Sequence, residues 1–219
     1  MPRIALAAEP LRDGPTALRP WRDSDLPALV DACQDPEIPR WTRVPSPYGA
    51  ADARLYLQQR HDALHAGVTT PYAVIDPRED RLLGSISLMR FVPEHGRAEV
   101  GYWLAREARG AGHAVRALGL ICRWGFDTLG LERIELLAAT ANLPSQRVAE
   151  RAGFTPEAVL RSYFAHDGKR HDMIAYALLA DEVVVDPHPG ASAPNLGASS
   201  DGGSTAPCSP RRSASLRRS

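Results

Sequence analysis

The segment Ala98 to Leu118, AEVGYWLAREARGAGHAVRAL, constrains the fold more than any other part of this 219-residue chain. A strand-like run, Ala98–Leu104, leads into a loop carrying Gly110 and Gly112, and a helical pattern begins directly after them. Glycines let a backbone approach a ligand closely. Free N–H groups and the positive end of a helix dipole then favour a phosphate. The segment reads as a pyrophosphate cradle with Arg109 adding a cation, although a Gly-x-Gly before a helix is, alone, equally a plain turn. Two phosphate loops are excluded. A dinucleotide fingerprint needs Gly or Ala where Val115 stands, and an acidic residue at the end of the next strand, which reads Leu137-Ala138-Ala139. A Walker A loop needs Gly-Lys-Ser/Thr, and here Gly112-His113-Ala114 follows.

Around this segment strands and helices alternate. Thr16–Pro20 is strand-like. Asp23 or Ser24 caps a helix running to Cys33, which Pro36 ends. A longer helix covers Ala51–Ala66 and stops at Gly67. Strands Tyr72–Ile75 and Leu82–Phe91 form a hairpin through Asp76-Pro77-Arg78-Glu79-Asp80. From Gly112 to Leu129, apolar and small residues including Ala114, Ala117, Leu118, Ile121 and Cys122 recur at spacings of three and four, one face of a helix. Arg133–Ala139 reads as a strand buried on both faces. Ser145–Ala152 is a short helix stopped by Gly153, and strands Val159–Ala165 and His171–Leu179 flank the turn Asp167-Gly168-Lys169. Hairpins together with one crossover give an α+β class with mixed strand directions.

Composition narrows the function. Lys plus Arg number 26 and Asp plus Glu 26, and such a balance speaks against a nucleic-acid coat or a polybasic membrane protein. Cys33, Cys122 and Cys208 form neither a disulfide framework nor a zinc pair, which suits a reducing cytoplasm. No apolar run approaches the ~20 residues of a membrane span, and Ile4–Ala8 is too short for a signal peptide's core. Residues 1–15 read as a loose lead-in, 16–182 as one folded domain and 183–219 as a disordered tail rich in Pro, Gly and Ser with an Arg-rich end.

A second cluster follows the buried strand: Asn142-Leu143-Pro144-Ser145, then Ala152-Gly153-Phe154. Taken alone, Asn142 and Ser145 are ordinary helix-capping choices. In order, however, Arg109-x-x-Gly112-x-Ala114, a helix, a strand, Asn142-x-x-Ser145 and Ala152-Gly153-Phe154 resemble the GNAT acyl-CoA-dependent N-acetyltransferases, in particular the RimJ/RimL group that acetylates protein N-terminal amines. Leu18-Arg19-Pro20-Trp21, Leu83-Gly84-Ser85-Ile86, Glu99–Leu104, Gly130–Ile134 and Gly168–Asp172 support the resemblance, which spans about residues 16–182.

The resemblance implies the GNAT fold, a mixed central sheet of about seven strands flanked by about four helices, with acetyl-CoA in a V-shaped opening between two strands. The strand ending at Trp103-Leu104 would meet the pantetheine arm through its backbone. The loop Arg109, Gly110, Ala111, Gly112, His113 and Ala114 would wrap the pyrophosphate. Asn142 would contact the arm from the other strand, with Ser145 near the thiol. The acceptor would be a protein N-terminal amine or a small-molecule amine such as an antibiotic or polyamine. Members of the family are often homodimers, and nothing in the sequence fixes the assembly.

Acyl transfer to an amine needs a neutral amine, a stabilised oxyanion and a proton for the leaving thiolate. Period-two alternation puts Glu99, Gly101 and Trp103 on one strand face, and Trp103 could desolvate the carboxylate. In the RimJ/RimL group a Glu in this strand is a proposed base and a Ser like Ser145 a proposed acid. The structural alternatives are that Glu99 pairs with an arginine on the sheet surface and that Ser145 only caps its helix. Tyr163 is a second acid candidate. His61 and His65 stand four residues apart on one helix face, but no third ligand is evident, so no metal is expected. Cys122 belongs to the core. The rivals are a non-catalytic acyl-CoA-binding module and, failing on Val115, a nicotinamide binder.

Overall fold

The computed structural model describes residues 5–183. Its strands are β1 (Leu11–Asp13), β2 (Thr16–Pro20), β3 (Thr69–Asp76), β4 (Arg81–Val92), β5 (Arg97–Leu104), β6 (Arg133–Ala139), β7 (Thr155–His166) and β8 (Lys169–Leu179). They form one sheet in the order β1-β2-β3-β4-β5-β6-β8-β7. Neighbours joined by short turns are antiparallel. Only β5 and β6 run parallel, as a helical crossover between strands requires.

Five helices flank the sheet: α1 (Leu26–Ala32), α2 (Glu37–Trp41), α3 (Ala50–His65), α4 (His113–Leu129) and α5 (Leu143–Arg151). On one face Leu18, Tyr72, Ile86, Leu88 and Val100 pack against Ala117, Leu118 and Ile121 of α4 and Ala149 of α5. On the other, Ala17, Ala73 and Ile75 meet Leu29 of α1, Ile38 of α2 and Leu57 of α3. Each fully buried Leu or Ile contributes roughly 1.5–3 kcal/mol, so the two clusters hold both layers without disulfides. Gly125 lets α4 lie close to the sheet, because a Cβ there would stand 3.0 Å from Leu88 Cδ1.

The α+β class and mixed sheet agree with the sequence reading, with two additions that raise the described strands to eight and the helices to five. Part of the lead-in is structured, since Leu11 pairs with Leu18 across a turn at Gly14, whose φ is +53°. Three residues are too few to display an alternation. Likewise α2 has only five residues, and Pro36, read as a stop, also opens this next helix, consistent with proline's tolerance in a first turn. The tail assigned to 183–219, apart from Val183, lies outside the described residues, as does Cys208.

Arg19 of the Leu18-Arg19-Pro20-Trp21 motif has a structural role. It is 1% exposed and grips Asp25, 5% exposed, through two hydrogen bonds of 2.7 and 2.8 Å. Its Nε reaches Asp80 at 2.9 Å, so one guanidinium ties β2 to the start of α1 and to the β3–β4 turn. Those hydrogen bonds hold its pKa above the ordinary arginine value.

Candidate active site

The parallel ladder between β5 and β6 is short. Arg97, Ala98 and Glu99 pair with Arg133, Ile134 and Glu135, and then the strands part. From Val100 to Leu104, and from Leu136 to Ala139, each strand has a backbone edge facing its neighbour with no strand pairing across the gap. Unpaired strand edges are hydrogen-bonding surfaces awaiting a partner. The gap belongs to a cleft of about 1070 Å³ that also reaches the α2–α3 side of the sheet.

One end of the cleft is the glycine loop. Gly110 and Gly112 have φ of +82° and +81°, a conformation that β-branched and bulky residues resist. They turn the chain from β5 into α4. The N–H groups of Gly112, His113, Ala114 and Val115 open the helix and have no intrahelical acceptor. No other acceptor for them exists among the described residues. A Cβ on Gly110 would meet nothing within 4 Å, so a ligand has room at that point. Orphan donors, a helix dipole and open space fit a pyrophosphate.

Two side chains of this loop face elsewhere than the sequence reading placed them. Arg109 donates through Nε and Nη2 to the Leu104 carbonyl at 3.2 and 2.8 Å, and its Nη2 lies 2.6 Å from Asp35. It braces the loop against the end of β5 instead of standing free as a phosphate cation. The ring of His113 is buried with Nδ1 2.8 Å from the Thr16 hydroxyl. The imidazole therefore pins α4 to β2, and only the residue's backbone opens to the cradle. Burial, followed by nearby Arg116, holds its pKa below the ordinary histidine value. Ala111 contributes loop backbone but does not line the cleft, whereas Trp103, Leu104, Gly110, Gly112 and Ala114 do.

The far side of the gap carries Asn142 and Ser145. Asn142 Oδ1 accepts from Ser145 N at 3.1 Å, capping α5. Ser145 Oγ lies 3.1 Å from Tyr102 Oη, so a hydroxyl pair spans the two separated strands' sides of the cleft. Burial raises the Tyr102 pKa, partly offset by that hydrogen bond, and the phenol stays protonated at neutral pH. Sequence reasoning quoted Tyr102 within the Glu99–Leu104 motif and gave it no role of its own.

Glu99 sits where β5 and β6 part, lining the cleft with 16% of its side chain exposed. Its carboxylate is 2.5 Å from Arg90 Nη1. Arg90 occupies the irregular stretch of β4 between Met89 and Val92 and has φ of +53°. Non-glycine residues in that region are uncommon and recur at functional sites. The arginine pairing weighed as an alternative is thus present, and it occurs inside the cleft. Tyr163 lies at the cleft wall, 52% exposed. His61 and His65 are exposed, and among the described residues no group of three or more His, Cys, Asp or Glu could hold a metal. Cys122 is 1% exposed, and burial raises its pKa, so it belongs to the core. No helix among the described residues is long and apolar enough to cross a membrane.

Known proteins are similar to this chain in sequence and in fold. Residues 16–155 match the family described as acetyltransferase (GNAT) domain. The uncharacterized N-acetyltransferase p20 of Bacillus licheniformis is 29% identical over 165 residues, covering 75% of this chain and 93% of that protein. The ribosomal-protein-serine acetyltransferase of Escherichia coli is 32% identical over 104 residues, 48% of this chain and 58% of its own. The solved spermidine N-acetyltransferase of Vibrio cholerae, in complex with CoA and spermine, superposes with a TM-score of 0.67 at 22% identity, covering 78% of this chain and 99% of that one. A strand fork, a glycine-turned helix N-terminus and a matching family model converge: the chain belongs to the GNAT acetyltransferases.

Proposed function

We propose that the protein transfers an acetyl group from acetyl-CoA directly to a protein N-terminal α-amine held with it in one ternary complex. The fork of β5 and β6, with Glu99 at its closed end and the Tyr102–Ser145 pair beside it, carries this reading. The ribosomal-protein relative supports the acceptor class. Acetyl-CoA supplies an activated thioester acyl group. The N–H groups from Gly112 to Val115 would hold its pyrophosphate, and the free edges of β5 and β6, with Asn142, its amide arm.

The chain's own residues then handle protons. An α-amine has a pKa of about 7.7–8.0 and is partly neutral at pH 7, so only modest base assistance is needed. Glu99 Oε1 or Oε2 takes the amine's proton, directly or through one water, while Arg90 fixes the carboxylate's orientation. Ser145 Oγ would pass its proton to the leaving sulfur as it takes one from Tyr102 Oη, which solvent reprotonates, so the hydroxyl pair ends neutral. Trp103 and the core around Val100 exclude water from the fork.

The test is thiol release from acetyl-CoA with peptides bearing free or blocked N-termini, beside small amines including spermidine, with the acetylated atom located by mass spectrometry. Acetylation of the free terminus, lost on blocking, is the expected result. Turnover confined to small amines would replace the acceptor class. Acetyl-CoA binding without turnover on any amine would leave a binding module instead.

A further inference from the structure

The half of the cleft lined by α2, α3 and the loop between them differs in charge from the molecule as a whole. Every carboxylate lining the cleft already has a partner. Glu37 accepts from Trp41 Nε1 and Arg40 Nη1, each at 3.0 Å. Asp52 accepts from the Gly49 N–H at 2.8 Å, capping α3. Glu99 is held by Arg90. Two arginines of this half, by contrast, have no carboxylate partner among the described residues, as is also true of Arg151 on α5 across the cleft. Arg43 lies over the Phe164 ring at 5.5 Å, and Arg60 lies over the Tyr56 ring at 4.7 Å.

The wall beside Arg60 also holds polar atoms that lack a protein partner. Arg60 Nε is buried without a hydrogen bond. So is the hydroxyl of Tyr48, whose side chain is all but enclosed at 6% residue exposure and lines the same cleft. Buried polar groups are normally satisfied, and an orphan inside a binding cleft points to a group supplied from outside. A guanidinium, an adjacent buried hydroxyl and a second unpaired guanidinium are all hydrogen-bond donors. They complement oxygen acceptors, above all a carboxylate, and they repel further ammonium groups. A cleft with low-dielectric walls focuses that potential on whatever enters it.

We infer that this acceptor pocket selects amines carrying nearby acidic groups, that is, peptides with a free α-amine followed within a few residues by Asp or Glu, and that Arg60 and Arg43 are the residues that recognise the acid. The inference rests on the acetyl-transfer reading and sharpens its acceptor. A polyamine would have to place its remaining ammonium groups among unpaired guanidiniums, with Glu37 and Glu99 already ion-paired and Asp52 alone lacking a cationic partner.

The test compares three acceptors, a Ser-Glu-Glu peptide, a Ser-Lys-Lys peptide of equal length, and spermidine. It measures kcat/KM by thiol release and, independently, peptide binding by fluorescence anisotropy at low and high salt. The acidic peptide should exceed the basic one by about tenfold or more in both measurements, with the gap closing as salt screens the charges. Arg60→Gln combined with Arg43→Gln should remove the preference without lowering the melting temperature, and Arg60→Lys, which keeps the charge, should retain most of it. Equal turnover on all three acceptors, or a preference for spermidine, overturns the inference while leaving acetyl transfer intact. A preference that survives the double variant also overturns it. Selective binding of the acidic peptide with no thiol release from any amine supports the pocket's selectivity and removes the acetyl-transfer reading instead.

Discussion

The two ends of the cleft are built from different materials. The donor end is made of backbone: free strand edges on β5 and β6, and the unpaired N–H groups that open α4. Its parts lie in two runs, Ala98 to Leu118 and Leu136 to Ser145. The acceptor end is made of side chains gathered from α2, α3, the β4 irregularity and the β7–β8 hairpin, with His166 Nε2 of that hairpin 2.7 Å from the Pro39 carbonyl. A backbone site is specified by where the chain can turn and where a Cβ is missing, which leaves glycines in fixed order. A side-chain site can be rebuilt by substitution without altering the chain's path. One end therefore suits a ligand common to a whole family, and the other suits acceptors that differ between its members.

That contrast can be broken at several points. The largest expected effect is on the support of the acceptor layer. Arg19→Ala leaves Asp25 buried and unpaired, and should cost about 3–5 kcal/mol in chemical denaturation. Replacing both residues by apolar ones of similar size should cost far less, since the charge and its compensation leave together. Next is the closed end of the fork. Glu99→Gln should lower kcat by about 100-fold on a peptide acceptor, with the melting temperature nearly unchanged. An unchanged kcat would reduce Glu99 to a surface partner of Arg90.

A smaller effect concerns the anchor of the donor end. His113 is held below its ordinary pKa, so the fold favours the neutral ring, while the unfolded chain takes up a proton near the usual 6.5. The unfolded state then binds more protons at mildly acidic pH, so this contribution to stability is present above that value and is lost as pH falls through the folded pKa. His113→Gln, keeping a polar partner for Thr16, should flatten the fall in stability between neutral and mildly acidic pH. The smallest effect is a null result. Cys33 is 4% exposed, and burial pushes its thiol up to about 12, so the native protein should resist thiol labelling there at pH 8 and react only on unfolding.

The same contrast explains what was legible in the sequence. The strand, the two positive-φ glycines and α4 announce themselves because each is a local backbone requirement, and the crossover that makes β5 and β6 parallel follows from their order. Asn142 as a cap and Gly130 as the left-handed stop of α4 were similarly local. Side-chain direction was less legible. His113 follows Gly112 in sequence, yet its ring packs toward Thr16, 97 residues away. Arg109 looked free and instead braces its own loop. Arg90 carried no signal, because the irregularity that turns it toward Glu99 is a property of the β4–β5 register. Tyr48 and Arg60 carried none either, since their missing partners become visible only once the surrounding atoms are placed.

The central claim is that donor affinity resides in the backbone end while chemistry and acceptor choice reside in side chains. The most direct measurement is acetyl-CoA affinity by calorimetry for the wild type, Gly112→Val, Glu99→Gln and Arg60→Gln. A β-branched residue at φ +81° costs roughly 1–2 kcal/mol of backbone strain and disturbs the orphan donors. Gly112→Val should therefore weaken acetyl-CoA binding by about tenfold or more, while the two side-chain variants bind it as the wild type does. Wild-type affinity in Gly112→Val, or a comparable loss in Glu99→Gln or Arg60→Gln, would contradict the division.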